Sequence, residues 1–186
     1  MTKLKLLIIL VGLWPSVCAS ASLFPDAYDD EFKDAALFLP VGTDWRLLKA
    51  QCYQESRLNP LAESPVGAMG LCQFMPGTWR DAERSGLDVN NAWNPEQSIL
   101  AAAWYMGKMN KFWSAPRSQM DRWMLAMASY NAGAGHLAKA QRLCGGPNAY
   151  GDIIECLPDV TGHHSVETIG YVKNIIGRWW PQMLLD

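Results

Sequence analysis

The chain has 186 residues, 49% of them hydrophobic and 18% charged, with 16 Lys and Arg against 18 Asp and Glu. A formal net charge of −2 without a basic patch excludes docking on nucleic acid or another anionic surface. The length suits one domain with a real core.

In chain order, Lys3 and Lys5 precede an apolar stretch from Leu6 to Trp14, and Ala19-Ser20-Ala21 forms a small-residue cleavage pattern. The apolar run is too short to span a bilayer comfortably. We read residues 1–21 as a secretory signal peptide, against the alternative of a buried N-terminal helix. Val17 ahead of Cys18 is a poor lead-in for a lipid-modified cysteine. Cleavage removes two lysines and no acid, leaving residues 22–186 as one domain of 165 residues with a net charge of −4. The expected destination is the periplasm, as a soluble protein.

Helical spacing of Phe32, Ala35, Ala36 and Leu39 predicts a helix over 29–39, ended by Pro40. Thr43 is the expected cap of the next helix, which carries Trp45, Leu48 and Cys52, runs into Glu55 and stops at Asn59-Pro60. Residues 61–75 read as a loop of small residues. Further helices are expected over 76–84, from Pro95 to Phe112 or Trp113, over 119–130 behind a Ser118 cap, and over 134–143. An irregular loop from Cys144 to His164 leads to a last helix that halts near Pro181. No strand pattern of convincing length appears. The fold class is mainly α, in a single domain, with at most a minor hairpin.

Four cysteines remain after cleavage: Cys52, Cys72, Cys144 and Cys156. An even number in an exported protein reads as a disulfide framework. Three pairings are open, and Cys52–Cys72 with Cys144–Cys156 is favoured because each closes a local loop. No CxxC occurs, and the adjacent His163-His164 cannot easily ligate from one helix face, so no metal is expected.

Glu55 stands at the end of its helix, where a lone glutamate is ordinarily a surface residue. Its company is more specific. ESRLNP begins at Glu55, Ser64 follows, then GAMGLCQ ending at Gln73, SYNAG containing Tyr130 and Asn131, and ETIGYV containing Glu167 and Tyr171. In these ordered motifs, which span residues 55–172, the chain resembles the soluble-type lytic transglycosylases, a lysozyme-like family acting on peptidoglycan. Two positions depart from the family pattern: Cys72 replaces a methionine and Ser129 an alanine. The first supports a disulfide clamping the loop to the Glu55 helix.

The resemblance implies a lysozyme-like fold and one catalytic glutamate, Glu55, with no second carboxylate, metal or cofactor. Ser64 would orient the Glu55 carboxyl. Gln73, Tyr130 and Asn131 would line the cleft, and Tyr171 would reach the Glu55 carboxyl or the sugar. Glu167 would join them as a substrate-binding residue. Gln73 serves equally well to satisfy loop backbone groups, a helix-start acid is the alternative for Glu167, and a core aromatic with a partnered hydroxyl is the alternative for Tyr130, whose following Asn-Ala-Gly favours the cleft. The implied substrate is peptidoglycan glycan strands, cleaved between N-acetylmuramic acid and N-acetylglucosamine with formation of a 1,6-anhydro sugar. Among the tryptophans, Trp45, Trp104 and Trp123 read as core, while Trp79, Trp93 and Trp113 near helix ends are candidates for stacking on sugar rings.

Three rival readings stand beside this one: a goose-type lysozyme-like hydrolase, a non-catalytic peptidoglycan-binding module, and a structural subunit of an envelope machine. Retention of Glu55 with Ser64 and Gln73 argues against the module. A compact domain without a wall anchor resembles transglycosylases that open the wall locally for secretion, conjugation or phage passage. Components of such machinery are therefore candidate partners, and a monomer is expected. The acidic 29–39 helix is a candidate docking face, although an ordinary solvated helix explains it as well.

Overall fold

The computed structural model describes residues 23–186. The expected signal peptide and Cys18 lie outside the described residues. The first helix, α1 (Asp29–Ala35), tightens into a 3-10 turn (Ala36–Phe38) before Pro40. Helix α2 (Trp45–Ser56) follows, capped by the Asp44 side chain, which accepts from the Arg46 N–H. The expected cap Thr43 instead donates to the Pro40 carbonyl at 2.6 Å. Asp44 is one residue closer, and its carboxylate reaches the free N–H groups of the first turn.

Helix α2 ends at Ser56, before Asn59-Pro60, because Arg57 and Leu58 both take left-handed conformations with φ of 59° and 61°. Neither residue favours that region, so tertiary contacts must hold it. Leu58 is buried, and the Arg57 guanidinium lies 4.8 Å from the ring centres of both Tyr53 and Trp179.

Residues 57–75 form a folded loop with bridges between Glu63 and Met69 and between Met69 and Phe74, a vestigial hairpin. Then come α3 (Pro76–Arg84), α4 (Pro95–Phe112), α5 (Gln119–Ala132) and α6 (Ala134–Leu143). Ser118 caps α5 as expected, its hydroxyl accepting from the Asp121 N–H. Helix α4 runs through the core, with Ile99, Ala101, Ala102 and Ala103 wholly buried. It packs along α5, and α5 packs on α6 and on the last helix. Apolar residues on every side are what a helix surrounded by protein requires.

Two features escaped the periodicity. The irregular loop after Cys144 contains α7 (Tyr150–Ile154) and α8 (Pro158–Thr161), which bracket the wholly buried Leu157. Such short helices lack the turns that a 3.6-residue repeat needs to show itself. The last helix also does not halt at Pro181. Helix α9 (His164–Asn174) continues through a π-helical segment (Ile175–Trp179) into α10 (Trp180–Leu185). Pro181 sits in the first turn of α10, where its missing N–H costs nothing, and the widened turn before it resets the hydrogen-bond ladder.

Both disulfides follow the local pairing, Cys52–Cys72 and Cys144–Cys156. No described helix is long and apolar enough to cross a membrane.

Candidate active site

Glu55 occupies the last turn of α2, and three separate stretches of chain meet around it. The first is the 57–75 loop. The Ser56 hydroxyl donates to the Leu71 carbonyl at 2.6 Å, the Cys72 N–H donates to Ser98 Oγ at 3.2 Å, and the Cys52–Cys72 bond ties the same segment to α2. Gly70 has a φ of +73°, and a Cβ there would overlap the Ala92 carbonyl oxygen, so the chain can pass only as glycine. Sequence reasoning passed over Ser56 and Ser98, whose roles depend on which backbone groups the folded loop presents.

Within this loop Ser64 and Gln73 face inward on their own backbone. Ser64 Oγ accepts from the Ala68 N–H at 2.9 Å and shares no hydrogen bond with Glu55. The Gln73 amide donates to both the Ala62 and Gly70 carbonyls, at 3.0 and 2.9 Å, bracing a residue that itself has a φ of 52°. Their observed work is shaping the loop.

The second stretch is the C-terminal half of α5. The Tyr130 hydroxyl donates to the Cys72 carbonyl at 2.8 Å, and its ring packs edge-on against Phe74 and Tyr105. Asn131 accepts from the Thr168 hydroxyl at 2.7 Å and donates to Glu167 Oε1 at 3.3 Å. Ser129, the departure from the family pattern, accepts the buried Trp113 indole N–H at 2.8 Å.

The third stretch is α9, which brings the partner that Ser64 does not supply. The Tyr171 hydroxyl donates to Glu55 Oε1 at 2.6 Å. Glu167 lies one turn earlier on the same face, exposed and bonded to Asn131.

Glu55 is half-buried as a residue, but its carboxyl group is set deep among protein atoms, and its pKa is raised to about 8. Burial is the main cause, the Glu167 charge adds to it, and the Tyr171 hydrogen bond opposes both. A carboxyl group with that pKa is protonated at neutral pH and can give up its proton to a weak base in the cleft. Burial also raises the hydroxyls of Tyr130 and Tyr171, so both stay neutral donors.

Asn131, His136, Thr161, His164, Glu167 and Thr168 line an open cavity of about 400 Å³. The structure thus brings together Glu55, Tyr171, Glu167, Asn131 and Tyr130, while Ser64 and Gln73 stand in the adjoining loop. Two of the tryptophans considered for sugar stacking belong to the core instead. Trp79 and Trp113 are 5% and 2% exposed, with their indole N–H groups on Glu83 and Ser129. Trp93 is half-buried.

A deep glutamate at a helix end, protonated near neutrality and bonded to a tyrosine of the last helix, defines an α-helical domain with a candidate acid–base site. Residues 40–151 match the model of the transglycosylase SLT domain, and the chain belongs to that family. It is 38% identical over 138 residues to a membrane-bound lytic murein transglycosylase F of Thiobacillus denitrificans, covering 71% of this chain and 28% of that protein. A protein of the same name from Aliivibrio fischeri is 40% identical over 119 residues, covering 62% of this chain and 23% of its own length. In three dimensions the chain is similar to the 70 kDa soluble lytic transglycosylase of Escherichia coli, with TM-score 0.67, 27% identity, and coverage of 88% of this chain and 25% of that one. An inactive glutamate-to-glutamine mutant of the lytic transglycosylase Slt from Pseudomonas aeruginosa gives TM-score 0.68 at 27% identity, over 87% of this chain and 25% of that one. The chain therefore spans about a quarter of the length of these proteins.

Proposed function

We propose that the protein is a peptidoglycan lytic transglycosylase with Glu55 as its single acid and base. The observation that carries this reading is the deep Glu55 carboxyl, protonated near neutrality and bonded to Tyr171. Glu55 gives its proton to the oxygen between N-acetylmuramic acid and N-acetylglucosamine as the bond to the anomeric carbon breaks. The substrate's own N-acetyl oxygen steadies the cationic centre. Glu55, now a carboxylate stabilised by the Tyr171 hydroxyl, takes the proton of the muramic C6 hydroxyl, and that oxygen closes on the anomeric carbon. The product is a 1,6-anhydro sugar and no water is consumed. Holding both reacting groups in one sugar ring is favourable, since effective molarities reach roughly 10⁵ M or more in well-oriented cases.

Asn131 and Glu167 supply hydrogen bonds to the sugar or its substituents from the floor of the cleft. Ser64, Gln73 and Tyr130 act chiefly by keeping the loop that forms its opposite wall. Goose-type hydrolysis would require an ordered water where the C6 oxygen attacks.

Residues 1–21 act as an export signal, and residues 22–186 work as a monomer in the periplasm. The two disulfides support an oxidising compartment. Wall opening for a secretion or conjugation machine, or for phage passage, is the proposed setting.

Mass analysis of the muropeptides released from purified peptidoglycan tests the activity. The wild type is expected to release products one water lighter than hydrolytic ones, and Glu55→Gln to release none. Reducing-end products would establish a hydrolase, and no release by either protein would leave a binding module.

A further inference from the structure

Gln51 lies in α2 one turn ahead of Glu55 and on the same face. Its side chain is wholly buried, and neither amide atom makes a hydrogen bond of good geometry to a described residue. Leaving a buried amide without a good partner is destabilising. Leucine or methionine would fill the position without that cost, so a glutamine here calls for a function.

Its surroundings are asymmetric. On one side, Leu39, Leu47, Leu48, Met106 and Trp123 enclose a small, mainly apolar void with it. The Tyr171 hydroxyl, which bonds Glu55, is within the reach of the Gln51 amide. The Gln51 amide acts on that hydroxyl in the sense that favours negative charge on its oxygen, as an N–H donor would. The charged or titratable groups that face Glu55 are Tyr171 and Glu167 from α9 and Tyr130 from α5.

We propose that Gln51 is a positioning residue for the acid: a small rotation sets its Nε2 on the Tyr171 oxygen, so that the Tyr171 proton is directed only to Glu55 Oε1. Without such a donor, a protonated Glu55 and Tyr171 can share their hydrogen bond in either sense. In the unproductive sense the Glu55 proton is spent on the tyrosine oxygen. With the acceptor position of that oxygen occupied, Glu55 carries its proton on Oε2, free for the cleft. After the proton has left, the chain from Gln51 through Tyr171 strengthens the bond to the carboxylate.

The inference rests on Glu55 acting as the acid, but its test does not require turnover. The Glu55 carboxyl carbon is titrated by NMR in the substrate-free wild type, in Gln51→Leu and in Gln51→Met. Two apolar variants guard against a packing failure in one, and both are expected to fold with unchanged or higher thermal stability. Loss of the donor weakens the Tyr171 bond to the carboxylate, so the Glu55 titration moves to higher pH by about a threefold change in proton affinity. In a Tyr171→Phe background, Gln51→Leu is expected to move it no further. On peptidoglycan, turnover falls about fivefold to tenfold at unchanged KM. A Glu55 titration unchanged in both folded variants overturns the proposal, and so does an equal displacement in the Tyr171→Phe background. If the wild type releases no anhydro product, the proposed activity fails while the titration still decides the role of Gln51.

Discussion

The Tyr171 hydroxyl donates to Glu55 Oε1 at 2.6 Å across 116 residues of sequence. That bond favours the carboxylate, whereas burial and the Glu167 charge favour the protonated acid. In the proposed cycle the two influences would serve its two halves: burial would keep the proton on Glu55 until the glycosidic oxygen took it, and Tyr171 would then steady the charge left behind.

The Glu55 pKa has a thermodynamic consequence. The group titrates near 4.5 in an unfolded chain and near 8 in the folded protein. Between those values the folded state holds a proton that the unfolded state has released, so stability falls as pH rises through this window. Glu55→Gln removes the titration. The variant is expected to match wild type at pH 4 and to exceed it by about 1–3 kcal/mol at pH 9, a figure reduced for the open side of the residue. Urea denaturation at both pH values measures the gap, and a pH-independent gap would mean an ordinary carboxylate. Activity is expected to fall as pH rises through about 8.

Tyr171→Phe removes the hydroxyl and keeps the ring. Turnover is expected to drop about tenfold to a hundredfold with little change in KM, because the lost bond acts on the acid and base rather than on sugar binding. The alkaline limb of the pH–rate profile should move to higher pH in step. A change confined to KM would place Tyr171 on the sugar instead.

Gly67 and Gly70 separate two costs that share one loop. Both have positive φ, but a Cβ on Gly67 meets open space and one on Gly70 overlaps the Ala92 carbonyl oxygen. Gly67→Ala is expected to cost about 1 kcal/mol of backbone strain, and Gly70→Ala about 2–4 kcal/mol with loss of activity as the loop is displaced. Thermal melts and muropeptide release on both variants check the contrast. Equal effects would show that the loop is free to shift.

The two disulfides should differ in kind. Replacing both members of either pair by serine is expected to cost about 3 kcal/mol in stability. Only the Cys52–Cys72 pair joins α2 to the loop beside Glu55, so only Cys52→Ser/Cys72→Ser should lower activity well below the melting temperature. Unchanged activity in that variant would dispose of the clamp.

Ser129→Ala restores the family's usual residue but strands the buried Trp113 indole N–H. A loss of about 1–2 kcal/mol is expected, with turnover unchanged. Full stability in this variant would mean that the indole finds another acceptor.

Helix existence was readable because its signals are local. Apolar spacing, Pro76 and Pro95 at first turns, and the Ser118 cap lie within a few residues of the structure they specify. Helices α7 and α8 were unreadable for the same reason, being too short to repeat. The ends of α2 and α9 were misplaced where a distant partner decides. Arg57 holds its left-handed turn against Trp179, and a π-helical segment carries the chain past Pro181.

By itself the sequence determined a mainly helical chain, the ordered motifs and the candidacy of Glu55, all of which are patterns of residue type and spacing. Only the tertiary structure decided which groups Glu55 meets. Ser64 and Gln73 are nearer in sequence, yet the positive-φ turns of their loop aim them at its own backbone. Tyr171 and Glu167 arrive from the last helix, and burial by several elements together raises the pKa of Glu55. Desolvation depends on everything that surrounds a group, so no stretch of sequence contains it.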